Sequence, residues 1–265
     1  MYPFIYHRPD SVSAAGHIAG DAEAKFLAGG MTLLPTMKQR LAAPGAIVDL
    51  NGVPGLAGVS VADGKVTIGA MTRHADVAAS KDVERLIPAL AELAGGIGDP
   101  HVRNRGTIGG SVANNDPAAD YPAAVLGLGA TVVTDKRRIA ADDYFQGLFT
   151  TALGEGEMIT AIEFPVAERA GYVKFPHPAS RYCLVGVWVA RTSAGPRVAV
   201  TGAGQSGVFR VPAMEAALAR SFTPEAIAGI AVPAGNMMAD IHAGADYRAH
   251  LVGVLARRAL VKATA

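Results

Sequence analysis

Leu27-Ala28-Gly29-Gly30-Met31-Thr32-Leu33-Leu34-Pro35-Thr36-Met37-Lys38 is the stretch on which the reading of this chain turns. A second stretch of the same kind, Gly106-Thr107-Ile108-Gly109-Gly110-Ser111-Val112-Ala113-Asn114-Asn115-Asp116-Pro117-Ala118-Ala119-Asp120, begins about 80 residues later. A Gly-Gly step beside Thr or Ser offers backbone N–H groups with no Cβ in front of them, and a hydroxyl. Those are the parts that wrap a pyrophosphate. Two such loops in one chain point to one extended cofactor lying between them, read here as FAD. Neither loop fits the Walker pattern or a G-x-G-x-x-G fingerprint, which disfavours ATP and a Rossmann-bound NAD. The amides and carboxylates of Asn114, Asn115, Asp116 and Asp120 suit ribitol or ribose hydroxyls.

Outward from the first loop, Lys25–Ala28 reads as a short strand and Thr32 as the N-cap of a helix through Leu33, Leu34, Met37 and Leu41. Pro35 falls in that helix's first turn, where a missing N–H costs nothing. Ala46–Leu50 is the next strand. This order places helix N–H groups at the end of a strand. Val59–Val61 and Val66–Ala70 alternate around Asp63-Gly64, a hairpin signal. Thr72 reads as the cap of a short helix, and one longer helix is predicted from Val83 to Leu93. The stretch 95–120 is too long and irregular for a mere connector. Asp120 begins a helix through Leu126; Gly127, near its end and away from both loops, reads as a position where alanine leaves FAD binding in place. Thr131–Val133 and Met158–Phe164 are later strands. Strands Tyr172–Phe175, Leu184–Ala190 and Arg197–Thr201 come next, followed by helices Pro212–Arg220, Pro224–Ile230 and Tyr247–Lys262. The class is α+β, in units 1–53, 54–168 and 169–265.

Half of the 265 residues are hydrophobic and 18% are charged, an ordinary globular composition. A net charge of +1 argues against non-specific nucleic-acid binding. The single cysteine, Cys183, excludes an internal disulfide, and an iron–sulfur cluster held by this chain alone. It stands in the apolar run Tyr182–Val189, which predicts a buried structural thiol. Met1–Pro9 lacks the apolar core of a signal peptide, and no apolar run approaches the ~20 residues of a membrane span; a cytoplasmic protein is expected. His74, His101 and His177 lack metal-site spacing. His101, close to the second loop, is the one histidine weighed as a covalent flavin tether, and a non-covalent flavin is preferred. Ser206, in Gly204-Gln205-Ser206-Gly207, lacks the spacing of a hydrolase elbow.

The chain resembles the FAD-binding middle subunit of the molybdenum hydroxylases, the family of aerobic carbon monoxide dehydrogenase and xanthine dehydrogenase. The likeness rests on Leu27–Lys38, Gly69-Ala70-Met71-Thr72, Gly106–Ser111 with Ala113-Asn114, and Asp116–Asp120. It extends over essentially the whole chain, including Ala161–Pro165. The resemblance implies the two-subdomain FAD-binding fold of the vanillyl-alcohol-oxidase/PCMH type, plus a C-terminal α+β domain with a small antiparallel sheet. It implies that Ala28, Gly29, Gly30, Met31 and Thr32, with Thr107, Ile108, Gly109, Gly110 and Ser111, hold the FAD diphosphate. Asn114 and Asp116 join the cofactor site, and Asp120 bonds the cofactor's sugar-like chain. Ile97, Ile159 and Lys174 lie close to the FAD and Tyr182 near the flavin ring. Met31 and Ser111 stand where Gln or His and Asn are frequent, but neither change removes a backbone N–H.

The resemblance further implies an electron-transfer subunit with no catalytic residue and no metal of its own. A large partner carries the molybdenum cofactor, a small partner carries two [2Fe–2S] clusters, and the assembly is a dimer of heterotrimers. Two other readings stay open: a self-contained FAD-dependent oxidoreductase acting directly on a small substrate, and a non-catalytic nucleotide-binding or assembly protein.

Overall fold

The computed structural model describes residues 1–21 and 23–265. The first elements are β1 (Ile5–His7), α1 (Val12–Asp21), β2 (Ala24–Leu27), α2 (Leu33–Lys38) and β3 (Ala46–Asp49). The strands form a parallel sheet in the order β1-β3-β2. Parallel neighbours need crossovers, and α1 and α2 supply them. The Gly29-Gly30 step therefore leaves the carboxyl end of β2, beside the carboxyl end of the buried β3. In open α/β sheets that edge is where ligands bind. Helix α2 is shorter than predicted, because Arg40 takes left-handed backbone (φ 60°) before Leu41.

The middle of the chain holds β4 (Val59–Ala62), β5 (Lys65–Gly69), α3 (His74–Ala79), α4 (Lys81–Leu86), α5 (Pro88–Gly95), α6 (Pro100–Arg103), α7 (Ile108–Asn114) and α8 (Tyr121–Leu128). It continues with β6 (Thr131–Thr134), β7 (Arg138–Ala140), α9 (Ala141–Tyr144), β8 (Phe145–Gly147), β9 (Thr150–Thr151) and β10 (Ile159–Pro165). Five of these strands make an antiparallel sheet, β4-β5-β10-β6-β7. The β4–β5 hairpin closes through Asp63 and Gly64, both at positive φ (51° and 70°), as a two-residue turn demands. The single helix predicted over 83–93 is two helices. Pro88 disfavours helical backbone at the residue before it, and Ile87 breaks out at φ −140°, ψ 64°. Thr72 caps nothing; its hydroxyl is donated to the Gly58 carbonyl (3.1 Å) and accepts from the Gly58 N–H (2.9 Å).

The C-terminal part comprises β11 (Arg169–Pro176), β12 (Cys183–Thr192), β13 (Gly195–Thr201), β14 (Phe209–Arg210), α10 (Pro212–Arg220) and α11 (Ala245–Thr264). Its antiparallel sheet runs β11-β12-β13-β14, with α11 across β11 and β12 and α10 on β13. The predicted helix over 224–230 is a 3₁₀ turn, Pro224–Ile227. Helix α8, buried along its whole length, packs between this sheet and β10. That placement makes Gly127 a close-packed position: a Cβ there would overlap the ring of the fully buried Trp188. The predicted α+β class is the one observed.

Candidate functional site

The carboxyl end of β2 carries a cradle of free donors. Among the described residues, the N–H groups of Gly29, Gly30, Met31 and Thr32 donate to no acceptor, although Gly29 and Gly30 are buried. Buried backbone N–H groups are almost always paired, so a run of unpaired ones marks a place for an acceptor from outside the chain. Gly30 turns the chain at φ 76°. Asn51, just past β3, fixes the entrance: its amide donates to the Ala28 carbonyl (3.2 Å) and to Asp49 Oδ1 (2.6 Å). A hydrogen bond to a charged acceptor contributes about 1.5–3 kcal/mol, against ~0.3–1 kcal/mol for a bare helix dipole. The free N–H groups therefore dominate whatever anion affinity this edge has.

The second stretch is not the loop expected from its glycines. Thr107 caps α7, accepting from the Gly110 N–H at 3.1 Å, and Gly109, Gly110 and Ser111 lie within the helix. The N–H of Ile108 is spent on the Thr72 carbonyl (3.0 Å) and that of Gly109 on the Ala70 carbonyl (2.9 Å). The first stretch thus offers the longer run of free donors: in the second the N–H groups from Ile108 to Ser111 are paired within the chain, while that of the buried Thr107 donates to no acceptor among the described residues. The glycines of the second serve close approach. A Cβ at Gly29 would overlap the Arg105 carbonyl and crowd the Gly106 Cα, while one at Gly110 would lie 3.5 Å from the Ala28 Cβ. The two stretches are therefore packed together, the second forming a wall behind the cradle. Ser111 and Asn114, both half-buried on α7, have side chains without a hydrogen bond among the described residues. Asp116 Oδ1 accepts from the Ala118 N–H (2.8 Å) and shapes the chain that follows.

Asp120 is buried and held by the C-terminal sheet rather than open to solvent. Tyr172 donates its hydroxyl to Asp120 Oδ1 at 2.6 Å, and Lys174 Nζ donates to Oδ2 at 3.0 Å and to the Gly96 carbonyl at 3.1 Å. Burial raises the Asp120 pKa; the Lys174 charge and the two hydrogen bonds oppose it. Beside Lys174 a cleft of about 650 Å³ opens, lined among others by Gly96, Lys174, His177 and Arg181. Ile97 and Tyr182 are the chain neighbours of two of these; Ile97 is half-buried and Tyr182 61% exposed. Ile159 is buried at the start of β10. Cys183 is buried, its thiol pushed up by desolvation, with Sγ 3.7 Å from the Tyr172 hydroxyl.

His101 faces solvent, its side chain 97% exposed and its Nδ1 3.5 Å from Asp99. His177 accepts at Nδ1 from the N–H groups of Ala179 and Ser180. His74 is buried under the second stretch: its N–H donates to the Gly106 carbonyl (3.0 Å), and its imidazole fills the place a Gly106 Cβ would take. The sequence did not signal the roles of Asn51 and Tyr172, nor the packing of His74, and Asn115, expected to serve cofactor hydroxyls, spends its amide N–H groups on the Gly147 and Thr150 carbonyls instead. Each acts on residues far away in the chain, and no local pattern announces it.

A family model described as the FAD-binding domain in molybdopterin dehydrogenase matches residues 2–167. The carbon monoxide dehydrogenase medium chain of Hydrogenophaga pseudoflava is 36% identical over 274 residues, covering 97% of this chain and 96% of that one. The nicotine 6-hydroxylase medium subunit of Paenarthrobacter nicotinovorans is 35% identical, covering 98% and 97%. Among solved structures, a carbon monoxide dehydrogenase from Hydrogenophaga pseudoflava that lacks the Mo-pyranopterin moiety of its cofactor superposes with a TM-score of 0.89. It does so at 37% identity, over 100% of this chain and 99% of that one.

Proposed function

The chain belongs to the family of FAD-binding domains of molybdopterin dehydrogenases, and on that premise we propose that it is the FAD-carrying electron-transfer subunit of a molybdenum-dependent hydroxylase or dehydrogenase complex. The observation that carries this reading is the run of N–H groups from Gly29 to Thr32 that donate to no acceptor among the described residues, walled by Arg105 and Gly106. Bound FAD supplies the redox chemistry, taking single electrons from an iron–sulfur cluster and releasing two to an acceptor.

The residues of this chain bind and orient. Ala28 to Thr32 take the diphosphate, with Thr107 to Ser111 closing the site from behind. The Ser111 hydroxyl, the Asn114 amide and the carboxylates of Asp116 and Asp120 serve the cofactor's hydroxyl groups. Ile97, Ile159, Lys174 and Tyr182 flank the rest. Substrate chemistry lies on partners: a large subunit with the molybdenum cofactor and a small one with two [2Fe–2S] clusters, in a cytoplasmic dimer of heterotrimers. Cys183 is the sole thiol and is buried, so cluster thiolates must come from another chain. The division into units 1–53, 54–168 and 169–265 is supported by three main sheets, each built within one of these segments.

The test compares the isolated chain with the reconstituted complex. The isolated flavoprotein should be bleached by dithionite but not by an aldehyde or a purine, and adding the large and small subunits should bring substrate-driven bleaching. Rapid bleaching of the isolated chain by such a substrate would overturn the reading.

A further inference from the structure

Tyr172 and Lys174 are two residues apart on β11, so both side chains leave the same face of the sheet. Both end on one carboxylate, that of Asp120 at the start of α8. The sheet makes room for this. Gly186, directly opposite Lys174 across the β11–β12 ladder, is where a Cβ would overlap the Tyr172 hydroxyl and come within 2.7 Å of Cys183 Sγ. The stretch leading to Asp120 is docked on the same sheet. The Thr201 hydroxyl donates to the Ala119 carbonyl (2.6 Å), and the Gly202 N–H donates to the Pro117 carbonyl (2.8 Å).

We propose that Tyr172 is a positioning residue of the cofactor site: its hydroxyl, seated over Gly186, donates to the Asp120 carboxylate and fixes it at the end of the segment that leads from α7. The proposal rests on the reading above, in which Asp120 serves FAD.

The groups facing Asp120 are Tyr172 and Lys174 from β11, Cys183 from β12 and Tyr121 from its own helix, with Arg248 of α11 acting on Cys183 from behind. Burial raises the Asp120 pKa above the ordinary carboxyl value, and the Lys174 charge and the two donated hydrogen bonds work against that rise. Burial also pushes the Tyr172 phenol well above its ordinary range, so it remains a donor at every pH the protein meets. Removing the hydroxyl takes away one stabiliser of the ionised form. Asp120 then picks up a proton at a higher pH, and Lys174 loses its ion pair.

The experiment uses the full chain and titrates FAD binding by flavin fluorescence from pH 8 to 5, for wild type, Tyr172→Phe and Asp120→Asn. In Tyr172→Phe the midpoint at which affinity falls on the acid side should rise by about one pH unit or more, the worth of one hydrogen bond to a charged group. Asp120→Asn should bind weakly and lack that acid step. A mere packing defect in Tyr172→Phe would lower affinity by one factor at every pH and leave the midpoint in place. Superimposable midpoints for wild type and Tyr172→Phe overturn the role of Tyr172, as does an Asp120→Asn profile matching wild type. A wild-type chain that binds no FAD at any pH overturns instead the functional reading on which the proposal stands.

Discussion

Gly29 and Gly127 both exclude a side chain, but only Gly29 does so for the site. A Cβ at Gly29 pushes against the Arg105 carbonyl and separates the cradle from its wall. Gly29→Ala should therefore purify with little or no flavin, as should Gly110→Val, whose branched side chain is forced between Thr107 Oγ1 and Ala28. Gly253→Ala is the matched control. It lies in α11 with nothing within 4 Å of a new Cβ, and should keep full flavin while gaining up to about 1 kcal/mol of helix stability. Flavin content per chain reads all three, and full flavin in Gly29→Ala would contradict the cradle. Gly127→Ala, by contrast, should lower stability by about 1–3 kcal/mol through overpacking against Trp188.

His74 adds a pH dependence at the same scale. Burial, then the Arg103 charge, lowers its pKa to about 4, whereas an unfolded histidine titrates near 6.5. Between these values the unfolded chain holds the proton and the folded chain does not. Stability should thus fall as pH drops from 6.5 towards 4, by roughly 3 kcal/mol in all. Urea unfolding at pH 7 and pH 4.5 should show a smaller loss for His74→Gln than for wild type; equal losses would remove His74 from the account.

Among the elements, α7 is tied down at its far end by Asn115. This residue is buried in left-handed backbone (φ 45°, ψ 46°), and its amide donates to the carbonyls of Gly147 (2.8 Å) and Thr150 (2.9 Å) in the β8–β9 hairpin. Asn115→Ala leaves both carbonyls without that donor and puts alanine in a conformation it disfavours, so stability should fall by about 2–3 kcal/mol. An unchanged denaturation midpoint would show the tie to be inert. The elements also mark what could be read from the residues. The path β2, glycine turn, α2, β3 was legible because each signal is local: apolar residues, two glycines, a proline in the first turn. The β4–β5 hairpin was legible from Asp63-Gly64 for the same reason. The α4–α5 break was overlooked although Pro88 announces it. The helical state of 108–114 was hidden, because Gly109 and Gly110 argue against a helix and only Ala70, Thr72 and Ala28, all distant in the chain, show why they are there.

In the whole molecule the proposed site draws on all three parts of the chain: β2 brings the donors, α7 and α8 bring the wall and Asp120, and β11 brings Tyr172 and Lys174. Among the described residues no helix is long and apolar enough to cross a membrane. The partner subunits were legible only through the lone cysteine and the family likeness, since nothing within one chain displays what docks on it. What this chain must do alone is hold its cofactor. The most direct test is the flavin released by acid precipitation of the purified protein. The account predicts one FAD per chain, all of it in the supernatant; a colourless protein, or flavin that stays with the pellet, would contradict it.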